Sequence, residues 1–136
     1  MRRAALMLAA FAAAACATDP SKDAGLPRMD VDYAMAPKHK CLGVSPEIRL
    51  GNVPAGTVSY EVRMTDLDAP SFQHWSQTLP AEGAVIREDR GRAEGGVRYY
   101  GPCPPNGTHR YQIEVIARDA NLKPLAYGER TVITGR

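Results

Sequence analysis

Apolar and polar residues alternate with period two along two clear stretches of the chain. Val58, Tyr60, Val62 and Met64 alternate with Ser59, Glu61, Arg63 and Thr65. Tyr111, Ile113, Val115 and Ala117 alternate with Gln112, Glu114 and Arg118. Successive side chains of a strand point to opposite faces, so each run predicts a strand with one buried and one wet face. Shorter runs predict strands at Ile48–Leu50, Trp75–Leu79, Val97–Tyr100 and Gly128–Thr134. Turn-forming clusters rich in Gly, Pro, Asn and Asp separate them at residues 52–56, 68–70, 101–107 and 121–124. Residues 82–96 are Gly-rich and charged and are expected to form a loop with one helical turn. No long helical pattern follows residue 28. The expected fold is therefore mainly all-β: an antiparallel, Greek-key-like β-sandwich with little helix, occupying residues 29–136.

The first residues obey a different pattern. Arg2 and Arg3 precede an apolar run from Ala4 to Ala15, too short for the roughly 20 residues that span a bilayer. Residues 1–15 thus predict a secretory signal peptide. Ala13-Ala14-Ala15-Cys16 resembles a lipobox, with the Cys16 thiol as the acceptor of a lipid; ordinary cleavage beside an incidental cysteine is the alternative. Residues 16–28 are polar, contain two prolines and predict a flexible tether. The expected location is the bacterial cell envelope, lipid-anchored and facing the periplasm. Ala17, not Asp, follows the cysteine, which favours the outer over the inner membrane.

Charge narrows the classes further. The chain has 17 basic and 15 acidic residues, and the surplus of two equals Arg2 and Arg3. A balanced folded part lacks the basic surplus of a nucleic-acid binder.

Three clusters can carry chemistry. In Asp66-Leu67-Asp68-Ala69-Pro70 two carboxylates at i and i+2 share a strand face, or else cap a turn before Pro70. His74-Trp75 offers an imidazole, or else a structural histidine beside a core tryptophan. Gly101-Pro102-Cys103-Pro104-Pro105-Asn106-Gly107 is a stiff loop leading to His109 and Tyr111; its prolines restrict the backbone and suit it to wall a pocket. Neither H-x-x-x-H nor H-E-x-x-H occurs, and Ser45 and Ser71 lack a G-x-S-x-G context. No catalytic residue, metal site or cofactor is expected.

Taken in order, Asp-x-Asp-Ala-Pro, His-Trp and Gly-Pro-x-Pro-Pro followed by His-Arg-Tyr resemble the phosphatidylethanolamine-binding protein family, in its bacterial Raf-kinase-inhibitor-like branch. Cys41-Leu42-Gly43-Val44-Ser45-Pro46-Glu47-Ile48 and Val53-Pro54-Ala55-Gly56-Thr57 are similar to two further stretches of that branch. The resemblance implies a non-enzymatic binding protein with a small anion pocket for a phosphate-like or phospholipid head group. It maps ligand binding to Asp66, His74, Gly101, Pro102, His109 and Tyr111, with Asp68, Pro70 and Trp75 in support. It also implies a Cys41–Cys103 disulfide, with two buried free thiols as the alternative. A protease-inhibitor or protein-interaction module of the envelope is the second reading, and a hydrolase the third. The chain departs from the family in Leu67, where Pro is usual, and in a short stretch between Pro70 and His74. It also lacks the helix that many members carry after Asp119, which implies a more open pocket.

Overall fold

A computed structural model describes residues 25–136. The expected signal segment, Cys16 and the expected tether as far as residue 24 lie outside the described residues. Seven strands follow: β1 (Asp30–Asp32), β2 (Ile48–Gly51), β3 (Ser59–Asp66), β4 (Gln73–Pro80), β5 (Val85–Ile86), β6 (Thr108–Arg118) and β7 (Pro124–Gly135). They form two antiparallel sheets, ordered β1-β2-β5 and β4-β3-β6-β7. The described residues contain no α-helix, only 3-10 turns at Pro37–His39 and Arg90–Arg92. The mainly β, two-sheet architecture is the one the alternation predicts.

The alternating residues explain the packing. Tyr60, Val62 and Met64 of β3 and Tyr111, Ile113, Val115 and Ala117 of β6 are buried in one core, with Val62 opposite Val115 and Met64 opposite Ile113. Trp75 and Leu79 of β4 join them, and Val31, Ile48, Leu50 and Ile86 of the smaller sheet complete the core. Burying each such side chain stabilises the fold by about 1.5–3 kcal/mol.

Four segments differ from the sequence expectation. β1 and β5 are three and two residues long, too short for an alternation to register. β7 begins earlier than its apolar run because residues from Pro124 onward gain partners on β6. Residues 97–100 make one isolated bridge, Val97 with Ser76, rather than a strand. Gly95 and Gly96, both at positive φ, lead into that segment, and the Gly101 loop follows it.

The described chain joins the sheet from Pro27: the Tyr127 N–H donates to the Pro27 carbonyl at 3.0 Å. Cys41 and Cys103 form a disulfide, with Cα atoms 4.8 Å apart. Two backbone bonds flank it, Cys41 N–H to the Pro102 carbonyl (3.1 Å) and Gly101 N–H to the Cys41 carbonyl (2.7 Å).

Candidate functional site

Antiparallel pairing of β3 with β6 sets Asp66, the last residue of β3, opposite Tyr111, two residues after His109. The end of one strand and the start of the other thus share one edge of the larger sheet. His74 arrives by a different device. The β3–β4 register pairs Met64 with Trp75 and Thr65 with Gln73, so His74 is an extra residue without a cross-strand partner. Such a bulge breaks alternation and re-aims a side chain. Both neighbours consequently turn inward, His74 at 4% and Trp75 at 1% exposure.

Asp66, His74, His109 and Tyr111 line a pocket of about 440 Å³ with Ala69, Phe72, Tyr100, Cys103, Pro104 and Pro105. The Tyr111 ring packs against both imidazoles, 5.3 Å from His74 edge-on and 6.3 Å from His109 in a stack. Phe72, half exposed, packs edge-on against His74 with ring centroids 4.7 Å apart.

Asp66 divides its carboxylate. Oδ1 accepts the backbone N–H groups of Asp68 (2.9 Å) and Ala69 (3.1 Å), and Oδ2 accepts from His109 Nδ1 at 2.7 Å. The turn reading of this motif and a position in the pocket lining therefore coexist on one side chain. Burial alone would raise the Asp66 carboxyl. The His109 bond, the Asp68 N–H and the His109 charge together hold it below the ordinary carboxylate range. The His74 Nδ1 lies 2.7 Å from the Tyr100 carbonyl, while the His74 carbonyl accepts the Tyr100 N–H at 2.8 Å. Tyr111 is fully buried, and no group meets its hydroxyl in hydrogen-bond geometry, although the Asp66 carboxylate is close enough to interact with it. Burial first and the Asp66 charge second push its pKa up to about 12.

The remaining expected residues lie around this pocket rather than in its lining. Asp68 binds the Arg110 backbone N–H (2.7 Å) and guanidinium (2.8 Å), which holds its own carboxyl down at about 2. Gly101 and Pro102 sit behind the pocket wall: a Cβ on Gly101 would fall 2.0 Å from the His39 carbonyl, so the close approach requires glycine. Trp75 packs in the core against Tyr99 and donates to Gln77. Pro70 lines a neighbouring depression with Arg63 and Phe72.

The model of the family described as phosphatidylethanolamine-binding protein matches residues 21–134. The chain belongs to that family. It falls in the branch that includes YbcL and YbhB of Escherichia coli. Among relatives of this phosphatidylethanolamine-binding protein family member, a UPF0098 protein of Aquifex aeolicus is 36% identical, over 54% of this chain and 53% of that one. A UPF0098 protein of Pyrococcus abyssi is 31% identical, over 72% of this chain and 68% of that one. The crystal structure of E. coli YbcL superposes with a TM-score of 0.63 at 23% identity, covering 80% of this chain and 99% of that one. YbcL is described there as a member of the mammalian PEBP family; the superposition establishes the shared fold.

Sequence reasoning did not single out Phe72 and Tyr100 in this member's pocket. Phe72 lies in the short stretch between Pro70 and His74, whose brevity was the available signal. Tyr100 immediately precedes the Gly101 loop but sits in a segment assigned to a strand.

Proposed function

We propose that the protein is a lipid-anchored, non-catalytic binding protein of the bacterial envelope whose pocket holds a small phosphate-like anion. One observation carries the binding reading: Tyr111, whose buried hydroxyl lacks a hydrogen-bond partner, lines a pocket with two histidines. A buried polar group without a partner costs roughly 1–3 kcal/mol, and an oxyanion accepting from it relieves that cost. The family membership supports the same ligand class. The pocket lining offers no serine, threonine or free thiol to act as a nucleophile; its one cysteine, Cys103, is disulfide-bonded. This arrangement supports binding without turnover.

The binding experiment is calorimetric titration with inorganic phosphate and phosphoethanolamine below the ordinary histidine range. Saturable one-to-one binding is expected, weakened about tenfold or more in a folded His109→Ala variant by loss of a charge-assisted bond. Unchanged affinity, or phosphoester turnover by the same protein, overturns the reading. The anchor rests on Arg2, Arg3 and the Ala13–Cys16 sequence. A disulfide also suits an oxidising compartment. Labelled palmitate is expected to enter the wild type and not Cys16→Ser; equal labelling of both refutes the anchor.

A further inference from the structure

We propose that the pocket takes up an oxyanion only together with a proton, and that His109 Nε2 is where the proton is held. The inference rests on the anion-site reading and specifies the chemistry that reading leaves open.

The hydrogen bonds determine both tautomers. A carbonyl oxygen only accepts, so His74 Nδ1, 2.7 Å from the Tyr100 carbonyl, carries a proton and donates it. Asp66 is ionised, so His109 Nδ1, 2.7 Å from its Oδ2, also donates. A neutral imidazole has one N–H, and in both rings it is already committed. Each Nε2 is then a lone pair, and neither has a hydrogen-bond partner among the described residues. Lone pairs facing an oxyanion repel it.

Nothing else in the pocket offsets that repulsion. No lysine or arginine lines it. The groups facing the rings are Asp66 from the end of β3, and Asp68 and Phe72 from the following turn. Tyr100 faces them from the 97–100 segment and Tyr111 from β6, while Arg110 of β6 is bound to Asp68. The Arg110 guanidinium is engaged by Asp68, and Asp66 adds a negative charge. With both rings neutral, the side-chain donors of the pocket are neutral phenols, those of Tyr100 and Tyr111, and its net charge is negative. A proton on an Nε2 supplies a charged donor and cancels that charge.

The two rings are not equivalent acceptors of it. His109 is 23% exposed and has Asp66 at 2.7 Å to balance an imidazolium. His74 is 4% exposed and its neighbours are the rings of Phe72, Tyr100 and Tyr111. Charging His74 means desolvation without a counter-ion, so the proton goes to His109. Bound anion, His109 imidazolium and Asp66 then alternate in charge across the site.

Sulfate is the probe, because it stays a dianion and any proton taken up must reside on the protein. Titration calorimetry at about pH 8, well above the ordinary histidine pKa of roughly 6.5, is run in two buffers of different ionisation enthalpy. The expected result is about one proton taken up per sulfate, with affinity falling about tenfold per pH unit above the histidine range. His74→Ala is expected to weaken binding but retain the uptake. Binding at about pH 5.5 that is lost at about pH 8 also supports the proposal. Equal heats in both buffers with pH-independent affinity overturn it. Uptake lost in His74→Ala but kept in His109→Ala overturns the assignment to His109. No binding of sulfate or phosphate at any pH overturns the anion reading itself, and the proton coupling with it.

Discussion

Tyr111 carries a hydroxyl that the fold buries without a partner. With its pKa at about 12 it stays protonated under any physiological condition and acts as a donor. Such a group costs the fold stability, and the proposed anion would relieve that cost. Tyr111→Phe removes the unsatisfied atom and keeps the ring that packs against both histidines. The variant is expected to be more stable by about 1 kcal/mol, which raises the thermal midpoint by roughly 4–8 °C for a domain of this size. The same substitution is expected to weaken anion binding, so the two effects have opposite signs. Thermal melts and titrations on one preparation check both; an unchanged midpoint would show that the hydroxyl carries no stability cost. At the same scale, Asp66 combines the turn reading of its motif with a position in the pocket lining. Its Oδ1 makes the turn and its Oδ2 orients His109.

Strand ends and the turn between them, rather than strand interiors, assemble the site. Asp68 clamps the turn after β3 onto β6 through both the backbone and the guanidinium of Arg110. The Leu67 N–H adds a bond to the Arg110 carbonyl at 2.8 Å. These bonds hold Asp66 and His109 in register, so Asp68 positions the pair without lining the pocket. On β4 the bulge performs the equivalent task. Simple alternation from the core residue Trp75 sends His74 to the opposite face. The unpaired residue in the β3–β4 ladder turns it inward instead, where the Tyr100 carbonyl accepts a hydrogen bond from its Nδ1–H. The loop from Gly101 then closes the wall with Cys103, Pro104 and Pro105.

Across the whole molecule, the Cys41–Cys103 bridge ties this wall to the segment that precedes β2, over a sequence separation of 62 residues. Closing a loop of that size removes entropy from the unfolded chain equivalent to about 4 kcal/mol, an upper value for most bridges. Replacing both cysteines by serine is expected to lower unfolding stability by about 2–4 kcal/mol in denaturant titrations. A loss below about 0.5 kcal/mol would mean that the bridge contributes little beyond the packing. The two backbone bonds flanking it remain possible in the variant, so its loop is expected to keep its place in the folded state and the pocket its shape.

The sequence by itself determined the sandwich and much of the candidate site. Period-two alternation is a local property: Tyr60 to Met64 and Tyr111 to Ile113 show their inward faces before any partner is known. The ordered motifs carried the likeness that the family match and the shared fold then established. Tertiary structure decided what depends on pairing. Register placed Asp66 opposite Tyr111 and brought His109 to its carboxylate, because residues 43 positions apart meet only once two strands align. The bulge at His74, the packing role of Gly101 and the isolation of the Tyr111 hydroxyl likewise follow from neighbours distant in sequence. A strand face can be read from one segment; a hydrogen bond between segments, or its absence, requires both.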